Sequence, residues 1–183
     1  MESAKDCFNA LMHSDETVDD RFQALDLTIT TVLSDIKQLV QDIEKTSHIW
    51  ERNSIDLLVL QVKDSVKSIE NLLFQLRELV EERDEIGTGI SSKLERASHH
   101  CLDTEGVIND VNLIGEDKRK ILSDIQSEMG EYSQSKKEMY RLMESIHTEK
   151  TELGRLMLAL MSEFEAIQNE PCNNCKTLQE SVL

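Results

Sequence analysis

The chain has 183 residues, of which 36 are acidic and 20 are basic, so its formal net charge is −16. That charge repels phosphate and argues against direct nucleic-acid binding or attachment to anionic membranes as the main activity. The single proline and the 4 % aromatic content are typical of a helical protein rather than a sheet protein. No apolar run approaches the roughly 18 residues needed to cross a bilayer.

The first helix is predicted to begin after Ser14, which is a suitable N-cap and is followed by acidic residues that favour a helix N-terminus. Residues 1–13 are expected to form a flexible segment. Apolar residues then alternate at spacings of four and three, which is an a/d heptad pattern held over about four heptads. These residues are Val18, Phe22, Leu25, Ile29, Val32, Ile36, Leu39 and Ile43.

The second helix is predicted to follow a phase break at residues 46–54, with Ser54 as its N-cap. Its apolar pattern comprises Ile55, Leu58, Val62, Ile69, Leu72, Leu76 and Leu79, with Val59, Val66, Leu73 and Val80 beside them. A stripe of about three residues in seven suits a bundle of three or four helices. Gly87 could end this helix as a left-handed cap, and Ser92 with Glu95 has capping-box spacing. A reversal is therefore predicted at 87–92, and residues 14–92 are expected to form a helical hairpin.

One heptad register from 93 to 169 predicts a single long helix, which Pro171 ends before a polar tail at 170–183. The glycines within it do not shift the register, although each costs about 1 kcal/mol relative to alanine. A break at Gly115, giving a monomeric four-helix bundle, is the main alternative. The predicted fold class is all-α: an elongated coiled coil in which a short N-terminal helical hairpin precedes one long heptad helix.

The lengths of these helices predict a partner. The long helix would exceed roughly 110 Å, whereas each hairpin helix would reach only about 45–50 Å. Another chain is therefore expected to cover the apolar face of the long helix. The predicted partner interface comprises Leu122, Ile125, Met129, Tyr132, Met139, Met143, Ile146, Leu153, Met157, Leu160, Phe164 and Ile167.

Three lysines, Lys118, Lys136 and Lys150, fall within the same heptad pattern and are predicted to set the register. A polar residue at such a position specifies the partner at a cost in stability. An identical parallel partner would place lysine against lysine, whereas a different or antiparallel chain could supply a carboxylate. Different subunits are therefore favoured as partners.

Few residues point to chemistry. Cys172 and Cys175 have the spacing of half a zinc site, which a second chain would have to complete; two free cysteines are the simpler interpretation. His99, His100 and Cys101 are consecutive, so on a helix they cannot all face one metal ion. No catalytic or phosphate-binding motif has the required spacing. We therefore predict no catalytic residue, no cofactor and no small-molecule substrate.

The two ends of the chain carry weaker signals. Residues Ser181, Val182 and Leu183 match the C-terminal pattern that PDZ-type grooves capture. The first residues lack the apolar core of a signal peptide, and four cysteines without one are expected to remain reduced. A cytoplasmic, cytoskeleton-associated or nuclear location is therefore expected, neither secreted nor transmembrane.

These features predict a non-catalytic structural subunit of a hetero-oligomeric coiled-coil complex that scaffolds protein assembly. Acidic chains with a helical hairpin and a long heptad helix occur in kinetochore, spindle and centrosome assemblies and in vesicle-tethering complexes. That analogy of class, and nothing more specific, favours cell-division or cytoskeletal machinery. The alternatives are a homodimeric adaptor or vesicle-tethering subunit that displays its hairpin and tail, and a zinc-dependent tail dimer.

Overall fold

The computed structural model describes residues 16–47, 53–102 and 111–169, which form three α-helices and include no strand. Helix α1 spans Glu16–Ser47, α2 spans Asn53–Leu102 and α3 spans Val111–Asn169. The prediction of an all-α chain is thereby confirmed. The N-terminal segment 1–13, its neighbour Ser14 and the tail 170–183 lie outside the described residues.

The boundary between α1 and α2 lies where the apolar pattern changes phase. Helix α1 ends at Ser47, and Lys45 in its last turn interacts favourably with the helix dipole. Helix α2 begins at Asn53, one residue before the predicted N-cap, and Asp56 lies in its first turn. The predicted break at 46–54 therefore contains this boundary.

The predicted reversal at 87–92 is wrong, because α2 continues without interruption to Leu102. Gly87 is buried, and a Cβ atom there would lie 3.3 Å from Cε2 of Tyr132 on α3. Its backbone is not left-handed, so it does not cap the helix. The glycine instead allows α3 to approach α2 closely.

Helix α3 correspondingly differs from the long helix predicted over 93–169, since residues 93–102 belong to α2. The alternative break at Gly115 is also wrong, because Gly115 lies inside α3. Helix α3 has 59 residues and α2 has 50, or about 90 Å and 75 Å of helix. The difference in length that predicted a covering partner is therefore much smaller than the sequence suggested.

The described residues fall into two compact units. The first unit comprises residues 16–28, 71–102 and 111–146, and the second comprises 29–47, 53–70 and 147–169. Each unit thus contains a segment of all three helices.

In the first unit, α2 and α3 are antiparallel. Arg83 contacts Met139, whereas Lys93, further along α2, forms an ion pair with Glu128, which lies earlier on α3. Near the second contact lies an apolar core cluster of Ile90, Leu94, Ile125 and Tyr132, against which Ile86, Ile121 and Met129 pack. Apolar contacts therefore join α2 and α3 beyond the predicted turn at 87–92.

In the second unit, two ion pairs show that α1 and α2 are antiparallel. Nζ of Lys37 lies 2.5 Å from Oε1 of Glu70, and Nζ of Lys63 lies 2.5 Å from Oε1 of Glu44. All three helices contribute to the buried apolar residues of this unit: Ile29, Leu33, Val40, Ile43, Ile55, Val59, Val62, Val66, Ile69, Leu153, Leu156 and Leu160.

The burial of the α3 residues corrects a central expectation. Leu153, Leu156 and Leu160 are each at most 6 % exposed in the single chain. The expectation that this chain has too little material to cover the C-terminal half of α3 is therefore wrong for these residues. The physical reason is the greater length of α2 and the correspondingly shorter α3.

Candidate functional site

The residues predicted to form the partner interface divide into two groups. Those at the d positions are buried within this chain: Ile125, Tyr132, Met139, Ile146, Leu153 and Leu160. Those at the a positions are only partly buried: Leu122, Met129, Met143, Met157 and Phe164. The side chain of Ile167 lies outside the described residues. Contact of these residues with a partner chain stays a prediction, and in this conformation only the second group offers accessible surface.

The buried face of α3 is rotated relative to the predicted a/d face. Leu142, Leu156 and Ser135, one position before the a residues, are buried together with the d residues. Lys118 and Lys136 are half-buried and Lys150 is exposed, so the lysines lie at or beyond the margin of this face. Their role in setting the register stays a prediction.

The buried charge of the first unit, Arg83 on α2, is not among the site residues predicted from the sequence. Its side chain is 2 % exposed. Arg83 lies at a regular heptad position between Leu76 and Ile90, which is the signal that could have identified it. A charged residue at such a position requires polar partners in the core.

Three helices supply the partners of Arg83. Its Nη2 donates hydrogen bonds to Oδ1 of Asp19 on α1 at 2.6 Å and to Oδ1 of Asp84 at 2.9 Å. Its Nη1 lies 3.6 Å from Sδ of Met139 on α3, and the guanidinium carbon lies 5.8 Å from the ring centroid of Tyr132. The Nε atom has no hydrogen-bond partner among the described residues.

The electrostatic surroundings keep Arg83 charged. Burial lowers the pKa of the guanidinium, but the hydrogen bonds to Asp84 and Asp19 oppose this effect, and the net shift is upward. The side chain of Asp19 is 38 % exposed and that of Asp84 is 64 % exposed, so both carboxylates also retain contact with water. The centre thus ties α1, α2 and α3 together through one buried cation.

The second unit exposes large apolar side chains beside a core that its own helices fill. Leu57 and Leu60 on α2 are 57 % and 56 % exposed, and Leu158 and Met161 on α3 are 73 % and 47 % exposed. The members of each pair are three residues apart, so they lie on the same face of their helix. Each pair forms an apolar patch on the surface.

Between α1 and α2 the same unit contains a groove of about 240 Å³. Aliphatic side chains form its floor, and lysines lie along its rim. The lining residues are Ile36, Lys37, Val40, Gln41, Val62, Lys63, Val66, Lys67 and Glu70. None of these residues was identified as a site from the sequence.

Each of the other groups with a shifted pKa forms an ion pair with a residue of its own helix. Asp42 pairs with Lys45 on α1, and the remaining groups lie on α3. Hydrogen bonds from Arg141 lower the pKa of Glu138, and hydrogen bonds from Arg155 lower the pKa of Glu152. The two residues of each pair are three positions apart on the exposed surface of α3. Such pairs are typical of solvated helix faces.

Other sites suggested by the sequence lie beyond what the structure describes. Cys172, Cys175 and the residues Ser181–Leu183 are outside the described residues, as are the side chains of His99, His100 and Cys101. Within residues 16–47, 53–102 and 111–169, no three or more metal-binding side chains come together. Among these same residues, no helix combines the length and the apolar character required to span a bilayer.

Searches of protein-family models, curated proteins and solved structures found no match to this chain.

Proposed function

We propose that this chain is a non-catalytic structural subunit of a hetero-oligomeric coiled-coil complex, which scaffolds the assembly of other proteins. The exposed pair Leu57 and Leu60 carries the proposal, since both side chains are more than half exposed on one face of α2. The neighbours Ile55, Val59 and Val62 already fill the core on the other face.

A helix from a different chain is the proposed occupant of the Leu57–Leu60 face. Paired leucines at helical spacing are the anchors through which one amphipathic helix packs against another. Burying two half-exposed leucines would contribute roughly 1–3 kcal/mol at about 25 cal/mol per Å² of apolar surface. A second copy of this chain is the alternative occupant, and the mass of the purified complex separates the two.

Purification of the full-length chain from its native cells, followed by native mass spectrometry, tests the proposal. The wild-type chain should be recovered with stoichiometric amounts of different subunits. The double variant Leu57→Gln, Leu60→Gln should recover about tenfold less of them, because the apolar anchors are lost. The double variant Leu57→Met, Leu60→Met keeps apolar side chains and should retain the subunits.

The outcomes separate the alternatives once circular dichroism shows that the variants remain folded. Recovery of the wild-type chain alone, or only as a dimer of itself, would contradict a hetero-oligomeric subunit. Equal recovery of subunits by the Gln and Met variants would show that the leucine face is not the contact.

A further inference from the structure

The groove between α1 and α2 in the second unit has the dimensions of a receptor for a side chain. Its volume is about 240 Å³. Small-molecule and cofactor sites usually occupy about 300–1,000 Å³, whereas an apolar cavity of about 150 Å³ already holds benzene. The groove therefore fits one large apolar side chain, or two small ones, better than a cofactor.

The floor of the groove selects the chemistry of that side chain. Ile36, Val40, Val62 and Val66 line it, and the three valines are each at most 5 % exposed. These branched side chains offer no hydrogen-bonding atom, so a polar occupant would lose its contacts with water without replacement. An aliphatic or aromatic side chain fits this floor.

The rim carries an excess of positive charge. Lys37 and Lys63 form ion pairs with Glu70 and Glu44, each at 2.5 Å. Lys67 also lines the groove, is exposed and forms no ion pair with a described residue. On a chain with a net charge of −16, this is a locally basic site beside an apolar floor. A carboxylate close to the apolar anchor would complement it.

The spacing of the lining residues on the two helices indicates the shape of the occupant. The lining residues occur in adjacent pairs at helical spacing along two antiparallel helices, at 36–37 and 40–41 on α1 and at 62–63 and 66–67 on α2. Side chains of a further helix pack into grooves of this type. An amphipathic helix can present an apolar residue and a carboxylate one turn apart on the same face.

We propose that this groove binds an acidic amphipathic helix from a different protein. One large apolar side chain of that helix enters the groove, and a glutamate or aspartate one turn away pairs with Lys67. This inference rests on the proposed function, because it specifies the chemistry of one partner in the complex. Leu60, Lys63 and Lys67 follow one another at helical spacing along α2, so the groove adjoins the Leu57–Leu60 face, and substitution of Lys67 tests the groove separately.

Fluorescence anisotropy with the full-length chain and two labelled peptides tests the inference. Both peptides are helices of about three heptads with leucine at the a and d positions. The acidic peptide has glutamate at the flanking positions, and the basic peptide has lysine at the same positions. At physiological ionic strength, which screens the long-range attraction of a basic peptide to a chain with a net charge of −16, the acidic peptide should bind saturably and the basic peptide should not. Replacing the leucines of the acidic peptide with alanine should abolish binding.

The charge of Lys67 supplies the matched test on the protein. Lys67→Glu should weaken binding of the acidic peptide about tenfold and allow the basic peptide to bind, because the rim charge is reversed. Lys137→Glu makes the same change at an exposed position on α3 outside the groove and should alter neither affinity. Equal binding of the two peptides, or equal effects of the two substitutions, would overturn the inference. Self-association that depends on Lys67 would assign the groove to a second copy instead.

The subunits recovered from native cells distinguish failure of the groove from failure of the proposed function. If the peptide test fails while the wild-type chain still purifies with different subunits, the groove inference is overturned and the proposed function stands. If the wild-type chain purifies without different subunits, the proposed function is overturned whatever the peptides do.

Discussion

Arg83 differs from its two carboxylate partners in its contact with water. The guanidinium is buried, whereas the carboxylates of Asp19 and Asp84 are partly exposed. Removing the arginine would therefore leave carboxylates that water can solvate. Removing a carboxylate would leave a buried cation with fewer partners. The two deletions of the same ion pair should consequently have different costs.

We predict that Asp19→Ala lowers the free energy of unfolding by about 1–2 kcal/mol, because it removes a hydrogen bond from the buried guanidinium. The free energy of unfolding of Arg83→Met should lie within about 1 kcal/mol of the wild-type value or exceed it, since an apolar side chain then fills the core. Urea unfolding followed by circular dichroism measures both. Asp20→Ala, which removes an exposed carboxylate one residue away, should have little effect. A loss of more than about 3 kcal/mol in Arg83→Met would show that the arginine is itself a source of stability.

The ion pair between Glu138 and Arg141 predicts a shifted titration at one residue. Hydrogen bonds from Arg141 hold the pKa of Glu138 below its usual value, so the stabilisation is present above that value and is lost as pH falls through the folded-state pKa. Arg141→Gln should raise the pKa of Glu138 toward its usual value in a carboxyl ¹³C NMR titration. Lys137→Gln removes a neighbouring positive charge that does not donate this hydrogen bond, so it should shift the pKa of Glu138 less. An unchanged Glu138 titration in Arg141→Gln would refute the pairing.

At the scale of the helices, the all-α class could be predicted because the apolar pattern of each helix is long and regular. The predicted C-terminus of α2 is too early because the apolar pattern used to predict it does not include Arg83 and Gly87. Yet the spacing of four and three continues without a break through positions 76, 80, 83, 87, 90, 94 and 97. Packing of α2 against α3 therefore outweighs the local capping signals at 87–92. That packing is visible only in the folded chain.

Two neighbouring glycines of α2 provide a test of that interpretation. Gly89→Ala should raise the free energy of unfolding by up to about 1 kcal/mol, because alanine favours a helix and the nearest atom, Oε2 of Glu128, lies 4.0 Å from the new Cβ. Gly87→Ala should gain less or lose stability, because its Cβ would lie 3.3 Å from the Tyr132 ring. Chemical unfolding of both variants measures the difference. If both alanines destabilised the chain, a turn at 87–92 would be the better description; if both stabilised it equally, the close approach to Tyr132 would be refuted.

At the scale of the whole molecule, the candidate sites were only partly predictable. The periodicity identified the buried d residues of α3, including Ile146, Leu153 and Leu160, but not the buried Leu142 and Leu156 beside them. It could not show which chain buries them, because covering an apolar face depends on the length and packing of the other helices. The exposed leucines and the basic groove were missed for the same reason, since exposure is a property of the packed helices.

The burial within one copy leads to a prediction for the isolated chain. If the core residues are covered by their own polypeptide, folding does not require association, and the unfolding midpoint should be independent of protein concentration over about a hundredfold range. Thermal unfolding by circular dichroism, with sedimentation equilibrium at the same concentrations, measures this. A midpoint that rises with concentration would show that a second copy completes the core, which favours the homodimeric alternative. A constant midpoint with a single-copy mass would show that one copy completes its own core, and the exposed leucines and the groove would then be the proposed contact surfaces.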